Sequence, residues 1–320
     1  MKPIVDKKEI HLAMLGKVEG NGHPYSWSAM FNGYDPDEMV ACPYAHPMIS
    51  EYLDKQPKET LQIPGARVTH VWTDDPKYSE SIAKCSLIPN VVNKAEDVIG
   101  QVDAVIVPTD KGFEHVERCR PFVEAGIPVF VDKPLVDNAA DLAVFSNWVK
   151  EGRPIMSSSC MRYAKEFAPY RTSCYELGEL RFVNITTPLA WEKYGIHALE
   201  GMYPILGPGF ISARNTGTID RNVVHLKHEK GVDVVVIANQ DMTYHAMGLM
   251  VLIGTKDYAQ VSMKDTFYAF QSQLKAFVQY LREGKRPFPF TETEELMKLV
   301  IAGIMSREEG GREVLLSEIQ

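Results

Sequence analysis

Apolar residues in the first half of the chain fall into short runs separated by helix-length segments. IHLAML (10–15), ARVTHVW (66–72), DAVIVP (103–108) and PVFV (128–131) are short apolar or β-branched runs and read as strands. Between and after them, Val116, Cys119, Phe122 and Val123, and then Leu142, Phe145, Trp148 and Val149, recur at helical spacing. Gly126 closes the first of these helices, where a left-handed cap suits glycine. Strand and helix alternate, which predicts βαβ units and a parallel sheet. The interval between the first two strands, residues 16–65, exceeds the usual βα connection and predicts an insertion.

After residue 180 the pattern changes. RFVNITTPL, VVHLKH, VDVVVIA, GLMVLIG and YAQVSM follow one another, with turn signals at EKG and GTKD, and read as a mainly antiparallel sheet. Two helices follow. One carries Phe267, Phe270, Leu274, Phe277, Val278 and Leu281 on one stripe; the other opens at Thr291 with Glu294 as its capping-box partner. EGRP (151–154) interrupts the pattern and places a domain boundary there. The expected fold is therefore α/β: a parallel-sheet domain over 1–152, then an α+β domain over 153–320 with a large, mainly antiparallel open sheet. VDVVVIA and GLMVLIG hold more apolar residues than a half-exposed sheet needs, which predicts a homodimer or homotetramer with a second subunit on the free face.

The candidate chemistry sits where strands end. The first strand runs into LGKVEGNGHPYSW, placing Gly16, Gly20, Asn21, Gly22 and His23 between strand and helix, where a glycine turn lets backbone amides approach a pyrophosphate. The spacing is not G-x-G-x-x-G, and an ordinary strand-to-helix connection reads almost the same way. The second strand ends at Thr73, Asp74 and Asp75; an acid there can bind an adenosine ribose and repel a 2′-phosphate, favouring NAD over NADP, or can simply begin a helix. VFVDKPL delivers Asp132 and Lys133 to a strand end, and WEKYGIHALEG brings Lys193, Tyr194 and His197. Histidine exchanges protons near neutral pH, although a lone histidine is more often structural.

Composition narrows the partners. A net charge of −8, from 42 acids against 34 bases, disfavours nucleic acid. Five unclustered cysteines indicate neither a disulfide framework nor a zinc site, and Cys42 with His46 is too small a set for a metal. The first residues hold scattered charges and only a brief apolar stretch, so a cytoplasmic protein without membrane contact is expected.

In order, the glycine loop, DAVIVPTDKGFEHV, AGIPVFVDKPL, GIHALE and SREEGGREVLL resemble the Gfo/Idh/MocA oxidoreductases over substantially the full length. The resemblance implies a Rossmann domain that binds NAD, with NADP possible, and a small-molecule secondary alcohol, a sugar or polyol, as substrate. It implies that Pro108, Thr109, His115 and Asp132 lie about the cofactor, that Lys133 meets the substrate hydroxyl, and that His197 shares the proton chemistry. Arg162 falls where the family often places substrate-facing residues, though an interdomain salt bridge fits it as well. Two departures stand out. Asp132 replaces the usual glutamate, and Lys193 occupies the register of an aspartate four residues before the histidine; an ammonium only donates, so it binds an acidic substrate group or is solvated. The same fold admits two alternatives: a nucleotide-responsive regulator without catalysis, and a lyase or glycosidase that uses bound NAD transiently.

Overall fold

Each apolar run of the first half is a strand of one parallel sheet. In the computed structural model, which describes residues 2–320, β1 (Ile10–Leu15) is buried at every position but His11 and leads through the glycine loop into α1 (His23–Asn32). The predicted insertion folds as α2 (Pro36–Ala41) and α3 (Met48–Leu53). The chain then passes through β2 (Ala66–Trp72), α4 (Pro76–Cys85), β3 (Asn90–Val91), β4 (Ala104–Val107), α5 (His115–Glu124), β5 (Val129–Val131), α6 (Ala139–Lys150) and β6 (Ile155–Ser157). The six strands are ordered β3-β2-β1-β4-β5-β6. The order reverses between β1 and β4, the point at which an open α/β sheet leaves a ligand crevice at its strand ends. β3 and β6 are too short to show a period. β6 pairs with β5 beyond the boundary expected between 152 and 153, because EGRP, with Gly152 at φ +86°, is the turn from α6 into β6 and not a linker.

The second sheet is built from α7 (Ala168–Ser173), β7 (Leu180–Pro188), α8 (Ile196–Leu206), β8 (Phe210–Asn215), β9 (Arg221–His228), β10 (Asp233–Asn239), β11 (Met250–Gly254), β12 (Tyr258–Val261), α9 (Thr266–Glu283), α10 (Phe290–Glu308) and β13 (Val314–Leu315). Its seven strands run β12-β11-β7-β10-β9-β8-β13, antiparallel except for the β7–β10 pair. Burial alternates strictly along β9, so one face packs on α8 and α10. The other face is bare and exposes Val223, Ile253 and Tyr258. The expected capping box is absent: α10 begins at Phe290 after Pro289, so Thr291 already lies in the first turn and no side chain caps it.

α9 belongs to the first domain in packing, although it follows the second in sequence. Phe267, Leu274, Phe277 and Leu281 share a core with Leu12, Trp27 and Phe130. The apolar stripe of α9 therefore closes over the β1–β5 face, and Phe270 on it reaches the crevice. Among the described residues no helix is long and apolar enough to cross a membrane.

Candidate active site

The crevice has two ends, joined by the glycine loop. Gly16 has φ +104°, and a Cβ there would lie 2.8 Å from the Thr109 methyl; Gly20 has φ +79° and open space above it. Asn21 fixes the loop by donating to the Pro108 carbonyl at 3.0 Å and accepting from the His23 amide at 2.8 Å. The loop thus lies against the ends of β1 and β4 with bare backbone outward, which fits a pyrophosphate. Lys17, which the sequence reading passed over, is buried here with its ammonium 4.6 Å over the Tyr78 ring, and burial lowers its pKa.

At one end a cavity of about 350 Å3 is floored by Leu15, Trp72 and Val107, the last residues of three adjacent strands. Asp74 stands at its rim in a two-pronged pair with Arg118, at 3.0 and 3.3 Å, and Glu114 holds the same guanidinium at 3.1 Å. Thr73 is turned inward onto Ser79 and the Asp75 carbonyl, each at 2.7 Å, and Asp75 caps α4. Of the acids considered at this strand end, Asp74 is the one that faces the cavity.

At the other end a cleft of about 670 Å3 opens between the domains, with Gly20, Gly22, His23, Tyr194 and His197 in its wall. The insertion supplies another wall: Ile49 and Tyr52 of α3 line it, and a Cβ on Gly22 would lie 2.5 Å from Ile49 Cδ1. β5 brings in Asp132, fully buried, whose carboxylate accepts the His23 Nδ1 bond at 2.6 Å and the Lys133 amide at 2.7 Å. Burial raises the pKa of this acid, but the neighbouring His23 and Lys133 charges and the His23 hydrogen bond outweigh it and hold the carboxyl below its usual range. The Lys133 ammonium lies 3.9 Å from Asp132 and 5.2 Å over the Tyr194 ring.

His197 reaches the cleft from the first turn of α8. Ahead of it, Trp191 is fully buried, donates to the Val300 carbonyl at 2.9 Å, and lies where a Cβ on Gly195 or Gly303 would be 2.5 Å from its ring. That packing anchors the 191–195 turn and the ring of Tyr194, whose centroid is 4.9 Å from that of His197. Ser159, just past β6, holds His197 Nδ1 at 2.6 Å. Burial first, and then the Lys133 and His23 charges, push the His197 pKa well below its ordinary value.

Three predicted residues lie elsewhere. Arg162 is absent from the cleft wall; its guanidinium is buried between Glu200 and Glu292 and stacks 4.0 Å over Phe288, so the substrate-facing expectation gives way to the ion-pair one. Lys193 neither opens to the cleft nor stands free, but pairs with Asp110 at 3.6 Å. His115 is fully buried, holding the Thr109 and Leu135 carbonyls at 2.9 Å each, and acts on the site through those loops. Ser159, Arg118, Asp110 and the α3 wall had no signal of their own in the sequence. His46 lines the cleft and Cys42 bonds Ser81; among the described residues no group of three or more His, Cys, Asp or Glu could hold a metal ion.

Residues 45–155 match the family model GFO_IDH_MocA, described as an oxidoreductase family with an NAD-binding Rossmann fold. Over this segment the chain is similar to the Gfo/Idh/MocA oxidoreductases. A protein of Amycolatopsis mediterranei (strain S699) named as a UDP-kanosamine synthase oxidoreductase subunit is 28% identical over 109 residues, which is 34% of this chain and 30% of that protein. The match thus spans under a third of that relative. The myo-inositol 2-dehydrogenase of Lactobacillus plantarum superposes with a TM-score of 0.76 at 14% identity, covering 98% of this chain and 100% of that one. The scyllo-inositol dehydrogenase of Lactobacillus casei, solved with NAD(H) and scyllo-inositol, superposes at 0.75 with 12% identity over 97% and 100% of the two chains. At such identities the likeness is one of fold, and it covers both domains.

Proposed function

We propose that this protein is an NAD-dependent dehydrogenase that oxidises a secondary alcohol of a sugar, polyol or related small molecule. The observation that carries the reading is a cleft lined by His23, His197 and Tyr194, with the nearly buried Lys133 ammonium 5.2 Å over the Tyr194 ring, next to a glycine loop whose open backbone fits a dinucleotide. Gly16, Gly20, Asn21 and Gly22 would hold the pyrophosphate, and Asp74 with the strand-end cavity the adenosine. When bound, the nicotinamide accepts the hydride. The chain's residues do the rest: Lys133, an ammonium beside a buried carboxylate, would stabilise the developing alkoxide, and His197 in the cleft wall would hydrogen-bond the same oxygen. Asp110 beside Lys193 restores an acid to the region where the family's aspartate is missing, which supports catalysis over a purely regulatory role. NAD is preferred to NADP in this reading, because Asp74 faces the ribose end.

The bare sheet face is proposed to seat a second copy of the chain, and light scattering at micromolar concentration tests that separately. The function is tested by offering myo-inositol, scyllo-inositol, other polyols, sugar acids and UDP-sugars with NAD+ and NADP+, following nicotinamide reduction and product together. Net reduction with one class supports the proposal. Product without net NADH points to transient redox chemistry, and neither signal with tight NAD binding points to a regulator.

A further inference from the structure

The cleft holds two histidines whose partners differ in kind. His197 Nδ1 faces the Ser159 hydroxyl, which can donate or accept and therefore leaves the ring's tautomer open. His23 Nδ1 faces Asp132 at 2.6 Å, and an ionised carboxylate only accepts. The proton of that bond must therefore sit on Nδ1, and neutral His23 keeps its lone pair on Nε2. Asp132 is 1% exposed, and the imidazole is stacked on Trp27 with centroids 4.4 Å apart, so the ring is locked in position as well as in tautomer. His23 itself is 15% exposed and lines the cleft. Among the described residues Nε2 has no hydrogen-bond partner.

We infer that His23, oriented by Asp132, is the base that takes the substrate hydroxyl proton, leaving Lys133 and His197 to stabilise the oxygen. This rests on the dehydrogenase reading given above. In the step, the substrate O–H bond breaks and its proton passes to His23 Nε2. The electron pair left on oxygen forms the carbonyl as the C–H hydride departs to the oxidised nicotinamide, and the imidazolium that results is balanced by Asp132. Burial weakens the alternative base, since His197 lies in a cationic neighbourhood that discourages proton uptake. The departure from glutamate to Asp132 has a place here: the shorter acid sits at hydrogen-bond distance from a histidine supplied by the glycine loop.

The charged and imidazole groups about His23 are Asp132 and Lys133 at the end of β5, His197 on α8, His46 and Glu51 by α3, His245 ahead of β11 and Lys264 ahead of α9. Two measurements test the assignment. The first is the nitrogen spectrum of histidine-labelled protein, with and without NAD+, in wild type, Asp132→Asn and Trp27→Phe. The expected result is a neutral His23 with Nδ1 protonated and Nε2 bare, a fixed tautomer that Asp132→Asn loses and Trp27→Phe keeps. A wild-type ring protonated on Nε2 overturns the inference whatever the enzyme's activity. The second is turnover on whichever compound of the screen reacts: His23→Gln and Asp132→Asn should each lower kcat roughly a hundredfold or more, with KM within a few-fold. His23→Gln at near wild-type kcat overturns the inference while leaving the dehydrogenase reading in place. Loss of NAD binding in the wild type would sink that reading alone, because the tautomer is read without turnover.

Discussion

The two ends of the crevice set carboxylates against cations under opposite conditions. At the cleft end Asp132 is 1% exposed and meets His23 and Lys133, themselves 15% and 3% exposed. At the cavity end Asp74 is 54% exposed and meets Arg118 at 21%. The same kinds of group therefore do different work. In the dry end each charge depends on its partner, since removing one leaves the other buried and uncompensated. In the wet end water screens the pair and the charges remain available to a ligand. In the proposed function, burial suits one end to orientation and proton chemistry and exposure suits the other to discrimination between nucleotides.

The largest effect follows from Lys133. Lys133→Met keeps the length of the side chain and deletes the ammonium, so turnover should fall roughly a hundredfold or more while NAD affinity changes little. Steady-state rates with fluorescence titration of the cofactor check both halves. Wild-type turnover in this variant would end the distinction between the two ends as drawn here.

The dry end also sets an acid limit on stability. His197 has a pKa depressed from its ordinary value near 6.5, so on acidification the unfolded chain binds a proton that the native ring refuses. More protons on the unfolded state means that stability falls as pH drops below about 6.5 and is full above it, by up to about 1.4 kcal/mol per pH unit. Urea midpoints at pH 7 and pH 5.5, in wild type and His197→Gln, measure it; the variant should show a shallower loss. Asp132 works in the other range, its depressed pKa giving stability that is present above the ordinary carboxylate range near 3.8 and lost as pH falls through its lower native value.

Much of this arrangement was legible in the chain, because period and burial are local signals. β1, β2 and α9 were announced by short apolar or β-branched runs and a helical stripe. What escaped depended on tertiary contact. Ser159 and Arg118 matter only because β6 and α5 end beside His197 and Asp74, and no spacing in the sequence encodes that meeting. The long interval after β1 announced an insertion, yet not that α3 would wall the cleft. EGRP misled as a boundary because a turn within a sheet and a linker between domains use the same residues. Arg162 was a case of chemistry guessed from register, with Glu200 and Glu292 invisible until the fold placed them.

At the wet end, Arg118→Ala frees Asp74 at the rim of the cavity proposed to hold the adenosine. A carboxylate without its counter-ion repels a 2′-phosphate more strongly, so NADP binding should weaken roughly tenfold, about 1.4 kcal/mol, with NAD little changed. Asp74→Ala should act in the opposite sense, leaving Arg118 to attract that phosphate. Both shifts should shrink as salt is raised, since the groups are solvent-exposed. Equal changes for the two cofactors would remove Asp74 as the discriminating group.

The smallest effect tests whether a half-screened pair outside the cleft wall follows the dry rule or the wet one. Lys193 is 41% exposed and sits 3.6 Å from Asp110, which is 11% exposed, so one partner is solvated and the other nearly is not. Screening on the lysine side limits the pair to less than about 1 kcal/mol, and Lys193→Ala should leave the melting temperature within a few degrees and kcat nearly intact, with KM raised a few-fold. Lys193→Asp is the sharper variant. It installs the family's residue in its register, yet it sets a second carboxylate against Asp110, and like charges at that distance oppose each other. The aspartate should therefore perform worse than the alanine here, and Asp110→Asn added to Lys193→Asp should recover the loss. If Lys193→Asp alone outperforms wild type, Asp110 does not supply the acid of this region, and the lysine is a departure without compensation.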